Sequence, residues 1–198
     1  MQREPLVPRT GGLALYTSRM PATPNDLFAF LDRLGIPHAT VEHPAVFTVE
    51  ESQALRGRIP GAHTKNLFLK DKRGALFLVV ALEDTPVALK SLHRLVGASG
   101  RFSFASADLL RECWGVEPGS VTPFGAMNDP HGRVTVVLDA DMMRHEILNY
   151  HPLVNTMTTT VNRDGLLAFL RATGHEPVIL PLYEEAQSGG PELSNCNL

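Results

Sequence analysis

The sequence predicts a mixed α/β domain, and three observations indicate this fold class. The 198 residues are 43% hydrophobic and 20% charged, a composition that allows one sizeable core. Segments with helical spacing of apolar residues alternate with short apolar runs typical of strands. The chain carries neither a regular βαβ repeat nor a Gly-rich phosphate-binding motif, so a mixed α/β fold is favoured over a doubly wound nucleotide-binding fold.

Capping residues, apolar spacing and turn residues predict the order of helices and strands along the chain. Thr23 and Pro24 form an N-cap pattern for a helix that Gly35 ends, and an extended piece runs through Val41. A capping-box pattern predicts a second helix over 48–57. Further elements are expected as follows: a β-hairpin over 65–82 with its turn at 71–74, a helix over 85–97, a strand at 102–105, a helix over 106–115, a long loop over 115–130, strands at 134–138, 153–161 and 178–182, and a helix over 163–173.

The ends of the chain and its cysteines favour a cytoplasmic protein. No apolar run approaches the roughly 20 residues that cross a membrane, and residues 1–22 lack the apolar core of a secretory signal. Cys113 and Cys196 give neither a disulfide framework nor a metal-binding spacing. We therefore expect a flexible leader over 1–22, a single domain over 23–184 and a disordered tail over 185–198.

The charge balance limits the kind of nucleic-acid contact that is expected. The net charge is −3, from 18 basic and 21 acidic residues, which argues against a broad positive surface that coats nucleic acid. Residues 56–73 nevertheless hold six basic side chains and one acidic one. This stretch suits either contacts with a few phosphates or a solvated loop and hairpin.

Several familiar catalytic patterns are missing from the sequence. Gly119 and Ser120 lack the surroundings of a GxSxG nucleophile elbow. Cys113 falls in an amphipathic helix, where a packed core thiol is expected rather than a nucleophile. His145 and His151 lie six residues apart on either side of an expected helix-to-strand boundary, a spacing that does not dictate shared metal ligation. We predict no metal site and no cofactor.

Three polar features beside apolar segments are candidates for a functional site. They are Lys65 with Asn66 at the opening of a strand, the loop 119–123, and the tetrapeptide 149–152 that contains His151. Each also has a structural interpretation: a lysine at a strand edge, a turn fixed by glycine and proline, and a histidine before a proline in an extended stretch.

At these residues the sequence resembles the prolyl-tRNA editing family, the YbaK-like deacylases, which hydrolyse misacylated tRNA as free proteins or as a domain inserted in prolyl-tRNA synthetase. The resemblance covers about 24–182. It lies in TKNLFL at 64–69, in the Gly-x-x-x-Pro loop at 119–123 with Phe124 and Gly125 after it, and in NYHPLVNTMTTT at 149–160. It implies a mixed α/β fold built round a curved β-sheet with flanking helices, and no metal or cofactor.

Within that family the sequence is most similar to the free-standing branch that clears alanine from proline tRNA. The resemblance implies mischarged tRNA(Pro), bound by its acceptor end, as the partner, with prolyl-tRNA synthetase as a second candidate. It implies catalytic roles for Lys65, Asn66 and His151. Substrate binding is implied for Gly119, Ser120, Val121, Thr122, Pro123 and Gly125.

The expected chemistry is hydrolysis of the ester that joins an amino acid to the terminal ribose. Such an activated acyl group needs a positioned water and stabilisation of an oxyanion rather than a protein nucleophile, which suits a site without a triad. Two alternatives stay open: a relative that clears cysteine or other small amino acids, and a non-catalytic module that binds tRNA or a synthetase.

Overall fold

A mixed sheet of eight strands forms the centre of the molecule in the computed structural model, which describes residues 20–45 and 59–183. The strand order is β1-β7-β6-β2-β3-β5-β8, and β4 pairs with β2 beside this path. The predicted mixed α/β class is confirmed. The strands are β1 (His38–Glu42), β2 (Ala62–Lys70), β3 (Leu76–Leu82), β4 (Ser103–Phe104), β5 (Val134–Asp139), β6 (Ile147–Tyr150), β7 (Met157–Asn162) and β8 (Val178–Leu180).

Helices flank the sheet and begin and end at the residues that their caps dictate. The Thr23 hydroxyl accepts the N–H of Asp26 at 3.3 Å, and the Ser106 hydroxyl accepts that of Leu109 at 3.3 Å. Gly115 ends the third helix with a φ of 68°, a conformation that glycine adopts without strain. Within the described ranges the helices are α1 (Pro24–Arg33), α2 (Leu89–Leu95), α3 (Ala107–Trp114) and α4 (Arg163–Ala172), with 3-10 helices at Pro123–Asn128 and Met142–Arg144.

The two faces of the sheet carry separate hydrophobic cores, because side chains alternate along each strand. The large core contains Phe68 and Val80 from the sheet and is covered by α1, α3 and α4. The small core contains Leu69 and Ala81 and is covered by Leu92 of α2. Odd-numbered residues of β2 therefore face the small core, and even-numbered ones face the large core.

Strand β2 has different partners along its two edges. Antiparallel β3 pairs with it along one edge over 64–70. On the other edge, parallel β6 pairs only at 62–63, and antiparallel β4 pairs only at 69–70. Residues 64–68 have no strand partner on that edge within the part of the chain that the structure describes.

Three elements differ from the sequence prediction. Residues 147–150 form β6, where a helix-to-strand boundary was expected; three of its four residues are buried, so the strand shows no alternation. The strand expected over 153–161 begins at Met157, because the chain turns at Leu153 with a φ of 69°. The helix expected over 85–97 begins at Leu89, because Thr85 bonds to other parts of the fold instead of capping it.

The helix predicted over 48–57 lies outside the described residues. The same holds for Arg56 and Arg58 of the basic stretch, for residues 1–19 of the predicted leader and for the predicted tail. The main chain at Ala22, which the sequence analysis assigned to the leader, donates its N–H to the Asn128 side chain at 2.8 Å.

The long loop after α3 folds back on Trp114. The indole Nε1–H donates to the Thr122 carbonyl at 2.7 Å, and the Asn128 amide donates to the Trp114 carbonyl at 3.1 Å. Gly125 packs against the indole so closely that a Cβ placed on it would lie 2.2 Å from two ring atoms. Only a glycine fits at this position without moving Trp114, which is fully buried.

We predict that Gly125→Ala destabilises the protein by about 3 kcal/mol or more, the upper end of the usual cost of overpacking, since the added methyl overlaps a closed part of the core. Urea unfolding at constant pH measures this change. Gly35→Ala is the control: Gly35 has a φ of 66° and no atom within 4 Å of a placed Cβ, so it reports backbone strain alone, about 1–2 kcal/mol. Equal or smaller losses for Gly125→Ala would contradict the packing argument.

Candidate functional site

Strands β2 and β6 separate after a short parallel pairing, and three of the predicted site residues, Lys65, Asn66 and His151, lie where they part. The Thr64 hydroxyl donates to the Asn149 carbonyl at 3.1 Å at the point of separation. His63 and Asn149 are paired. Lys65 lies two residues further along β2, and His151 lies two residues after Asn149, directly beyond the end of β6. We call the opening between residues 64–68 and residues 150–151 the fork.

Asn66 presents polar groups to the fork. The N–H of Glu83 donates to the His63 carbonyl, and the N–H of Ala105 donates to the Phe68 carbonyl, both at 3.0 Å. The main chain of His63 thus faces β3 and that of Phe68 faces the other edge, so alternation turns the main chain of Asn66 towards the fork. The Oδ1 atom of Asn66 is buried and has no hydrogen-bond partner among the described residues. A buried acceptor without a partner is costly, which makes it a candidate ligand contact.

Lys65 lies on the small-core side of the sheet. Its ammonium donates to the Glu83 carbonyl at 2.9 Å and to the Thr85 carbonyl. An ammonium has three donors, so one is left for a ligand. Because Lys65 and Asn66 are neighbours on a strand, their side chains point to opposite faces. The structure therefore does not bring these two side chains together; what they share is the main chain that borders the fork.

His151 follows β6 directly and its hydrogen bond defines its tautomer. The Nδ1 atom lies 2.9 Å from the Met157 carbonyl, to which it must donate, so Nε2 carries the free lone pair in the neutral ring. The ring centroid lies 6.3 Å from that of His43. Burial lowers the pKa of His151 and the charge of His43 lowers it further, while the bond to Met157 opposes both. His151 is thereby kept as a neutral acceptor near neutral pH.

The Gly-x-x-x-Pro loop offers main-chain donors. Within the described part of the chain, the N–H of Ser120 donates to the Glu117 carbonyl at 2.9 Å, whereas those of Val121 and Thr122 have no acceptor. Thr122 is fully buried, and its hydroxyl accepts the N–H of Phe124 at 3.3 Å, which fixes the turn into the 3-10 helix. Unused N–H groups in a fixed turn can stabilise an oxyanion.

The structure brings this loop against the segment 149–156. The rings of Phe124 and Tyr150 meet edge to face at 5.8 Å, and a Cβ placed on Gly119 would lie 3.6 Å from the Asn155 amide nitrogen. Pro123 is buried at the start of the 3-10 helix. Gly125 donates its N–H to the Thr122 carbonyl at 3.2 Å, so its main chain holds the turn closed, and substrate binding by Gly125 stays a prediction.

Two cavities lie beside these groups. One of about 440 Å³ is bordered by His63, Glu83, Thr85 and His145, next to the carbonyls that bind Lys65. The other, of about 370 Å³, lies between residues 115–117 before the loop and residues 153–154 after His151. Both volumes lie within the usual range for small-molecule sites. In the described ranges no group of three or more His, Cys, Asp or Glu side chains is placed to hold a metal ion.

Sequence reasoning missed two residues that contact the site residues and a third that contacts one of these two. Thr85 binds Lys65, His43 lies beside His151, and Asp139 accepts a hydrogen bond from Thr85. For Asp139 a signal was available, because an acidic residue directly after the apolar run 134–138 lies at the carboxyl end of a buried strand. Thr85 resembled a helix cap, and His43 carried no distinguishing pattern.

The structure is a small α/β domain with a candidate site where two parallel strands separate, and sequence comparison gives its family. Residues 43–169 match the family model described as the aminoacyl-tRNA editing domain. The chain belongs to this family.

Relatives of similar length support the same assignment. The chain is 42% identical over 157 residues to prolyl-tRNA synthetase associated domain-containing protein 1 of Danio rerio, an alignment that covers 78% of this chain and 85% of that protein. It is 34% identical over 150 residues to the prolyl-tRNA editing protein ProX of Acetoanaerobium sticklandii, covering 75% and 91%.

A solved structure has the same fold. It is described as a candidate trans-editing enzyme for prolyl tRNA synthetase, and it superposes with a TM-score of 0.63 over 82% of this chain and 97% of the other, at 24% identity. This likeness concerns the fold alone. None of the helices in the described ranges is long and apolar enough to cross a membrane.

We predict that His151 titrates below its ordinary pKa of 6.5, because burial and the charge of His43 both disfavour the imidazolium. An NMR titration of the imidazole Cε1–H signal measures the midpoint. His43→Gln should move that midpoint upwards, since it removes a neighbouring positive charge. A midpoint at or above 6.5 in the wild type, or no change in the variant, would contradict the proposed environment.

Proposed function

We propose that this protein is a trans-editing deacylase that hydrolyses the ester of misacylated tRNA(Pro), with alanine as the preferred amino acid. The observation that carries the proposal is a set of polar groups without partners among the described residues. Asn66 Oδ1 and His151 Nε2 belong to residues that border the fork, and the N–H groups of Val121 and Thr122 belong to the loop that packs against the segment 149–156. Membership of the editing family and the relative named a prolyl-tRNA editing protein support it. An enzyme of translation acts in the cytoplasm, which is the location that we propose.

In the proposed reaction a water attacks the ester carbonyl, and the bond to the ribose oxygen breaks. The N–H groups of Val121 and Thr122 stabilise the oxyanion that forms. The neutral His151 accepts a proton from the water at Nε2 and returns it to the ribose oxygen, so that a free amino acid and an uncharged tRNA leave. No covalent intermediate with the protein is required.

Lys65 and Asn66 hold the substrate in this scheme. The third donor of the Lys65 ammonium binds the terminal phosphate or ribose, and its charge polarises the ester. Asn66 accepts a hydrogen bond from the substrate at Oδ1, which satisfies the buried acceptor. Gly119, Ser120 and Pro123 shape the loop that faces the acyl group, and the basic residues of 56–73 are a candidate surface for the acceptor stem.

Selectivity depends on the space available to the amino-acid side chain. A hydrophobic pocket separates substrates that differ by one methylene by only about 1–3 kcal/mol, whereas steric exclusion of a larger group can do better. Alanine is therefore expected to enter and the ring of proline to be excluded. Cysteine and serine are close to alanine in size and are the alternative substrates to compare.

The first test is deacylation of purified alanyl-tRNA(Pro), with prolyl-tRNA(Pro) as the control and cysteinyl- and seryl-tRNA(Pro) as competitors. We expect alanyl-tRNA(Pro) to be hydrolysed fastest and prolyl-tRNA(Pro) to be spared. Faster hydrolysis of cysteinyl- or seryl-tRNA(Pro) would mean that cysteine or serine, and not alanine, is the preferred amino acid. If the protein binds tRNA but hydrolyses none of these charged tRNAs, it is instead a non-catalytic module.

We predict that Lys65→Ala lowers deacylation by at least about a hundred-fold, the effect of removing one donor to the developing charge. The fold is expected to persist, which circular dichroism checks. Lys90→Ala is the matched control, since Lys90 is an exposed lysine on α2. Wild-type turnover by a folded Lys65→Ala protein would remove Lys65 from the mechanism.

We expect His151→Ala to lower turnover about a hundred-fold, as for a general base, and to change the preference among amino acids. In the wild type, activity above the uncatalysed background should fall as pH drops through the lowered pKa of His151, because protonation occupies Nε2. The pH profile of the His151→Ala variant should lack this fall in activity. Identical rates, preference and profile in both proteins would mean that His151 is structural.

A further inference from the structure

Asp139 is a fully buried carboxylate at the end of β5. One oxygen, Oδ1, accepts the N–H of Leu182 at 3.3 Å and that of Asp141 at 3.4 Å. The other, Oδ2, accepts the Thr85 hydroxyl at 3.3 Å. Among the described residues no cation lies within ion-pair distance of it. A buried carboxylate is costly unless hydrogen bonds and a nearby opposite charge compensate it.

The sheet places the compensating charge two strands away. Lys65 on β2 is opposite Ala81 on β3, and Val80 is opposite Leu138 on β5. Asp139, the residue after Leu138, therefore flanks Ala81 from the other side. Residues in register share a face, so Lys65, Ala81 and Asp139 all face the small core, with the two charged residues about 10 Å apart at their Cα atoms.

Thr85 connects the two charged residues through hydrogen bonds. Its carbonyl accepts a hydrogen bond from the Lys65 ammonium, and its hydroxyl donates to Asp139 Oδ2. The ammonium is also held by the Glu83 carbonyl, two residues earlier in the same turn. One turn thus connects the lysine with the buried carboxylate.

We propose that Asp139 is a positioning residue for Lys65 and acts through Thr85. The carboxylate fixes the Thr85 hydroxyl, which holds the turn 83–85 in place, so that its two carbonyls direct the ammonium beside the fork. The negative charge of Asp139 also favours a cation on this face of the sheet. The proposal rests on the proposed deacylation, because it explains how the chain holds the lysine that the reaction uses.

The experiment compares Thr85→Val, which removes the hydroxyl, with Thr85→Ser, which keeps it, and adds Asp139→Asn. Asp71→Asn is the matched control, because Asp71 is also a buried carboxylate that accepts main-chain N–H groups, but at the far end of the β2–β3 hairpin. The first readout is acylation of the Lys65 amine by N-hydroxysuccinimide acetate, followed by peptide mass spectrometry with Lys90 as the internal reference. This readout does not depend on activity.

We expect Thr85→Val and Asp139→Asn to raise the labelling of Lys65 several-fold, because the ammonium loses its fixed position, while Thr85→Ser and Asp71→Asn leave it unchanged. The second readout is kinetic. Thr85→Val should lower kcat for alanyl-tRNA(Pro) about ten- to a hundred-fold with little change in KM, the cost of misplacing a reacting group. In a Lys65→Ala background Thr85→Val should have no further effect, since coupled residues are not additive.

Several results would overturn the proposal. Wild-type labelling in folded Thr85→Val, equal labelling in the valine and serine variants, or additive losses in the double variant each contradict it. Should Asp139→Asn fail to fold, the two Thr85 variants still decide the outcome. If the wild type hydrolyses none of the charged tRNAs, the proposed function fails, and the labelling results alone decide whether Asp139 positions Lys65.

Discussion

The divided pairing of β2 is the constraint on which the site depends. A strand must satisfy main-chain groups on both edges, and an unpaired buried group costs about as much as a lost hydrogen bond. Here β3 covers one edge over 64–70, whereas β6 and β4 share the other, and no strand of residues 20–45 or 59–183 pairs with 64–68 on that edge. Thr64 and Phe68 make single contacts at the two ends of this gap. The main chain of Asn66 is left in the middle, and the opening is a fixed consequence of strand order.

Alternation along β2 then gives the opening two chemically different sides. Lys65 faces the small core, where main-chain carbonyls bind its ammonium. Asn66 faces the large core, where the Gly-x-x-x-Pro loop packs round Trp114. An ester that enters between β2 and β6 would meet a cation on one side of the sheet and amide groups on the other. Two adjacent residues of one strand are the shortest stretch of chain that can place a polar group on each side of the sheet.

Much of the fold follows from local signals, and the site follows from them only in part. Caps at Thr23 and Ser106 and the apolar run 75–82 specify their elements, because the hydrogen bonds and the burial that they require are local. β6 was missed because its burial depends on long-range pairing with β2 and β7. The motif at 64–69 gave Lys65 and Asn66 as candidates, and alternation along a strand already implies that their side chains point to opposite faces. Which of the two cores each side chain faces depends on long-range packing. Thr85 could not be assigned locally, since its partners lie 20 and 54 residues away.

A site that lacks a protein nucleophile depends on how firmly its groups are held, since positioning supplies much of the rate. At the candidate site the anchors are main-chain atoms: the Glu83 and Thr85 carbonyls for Lys65, the Met157 carbonyl for His151, and the Phe124 N–H for the Thr122 hydroxyl. Main-chain atoms of strands and closed turns move less than side chains do. Asp139 extends this rule, because it acts on Lys65 by fixing a turn rather than by contact. In the proposed reaction, strand order and core packing therefore set the geometry of the reacting groups, and residues distant from the substrate can control it.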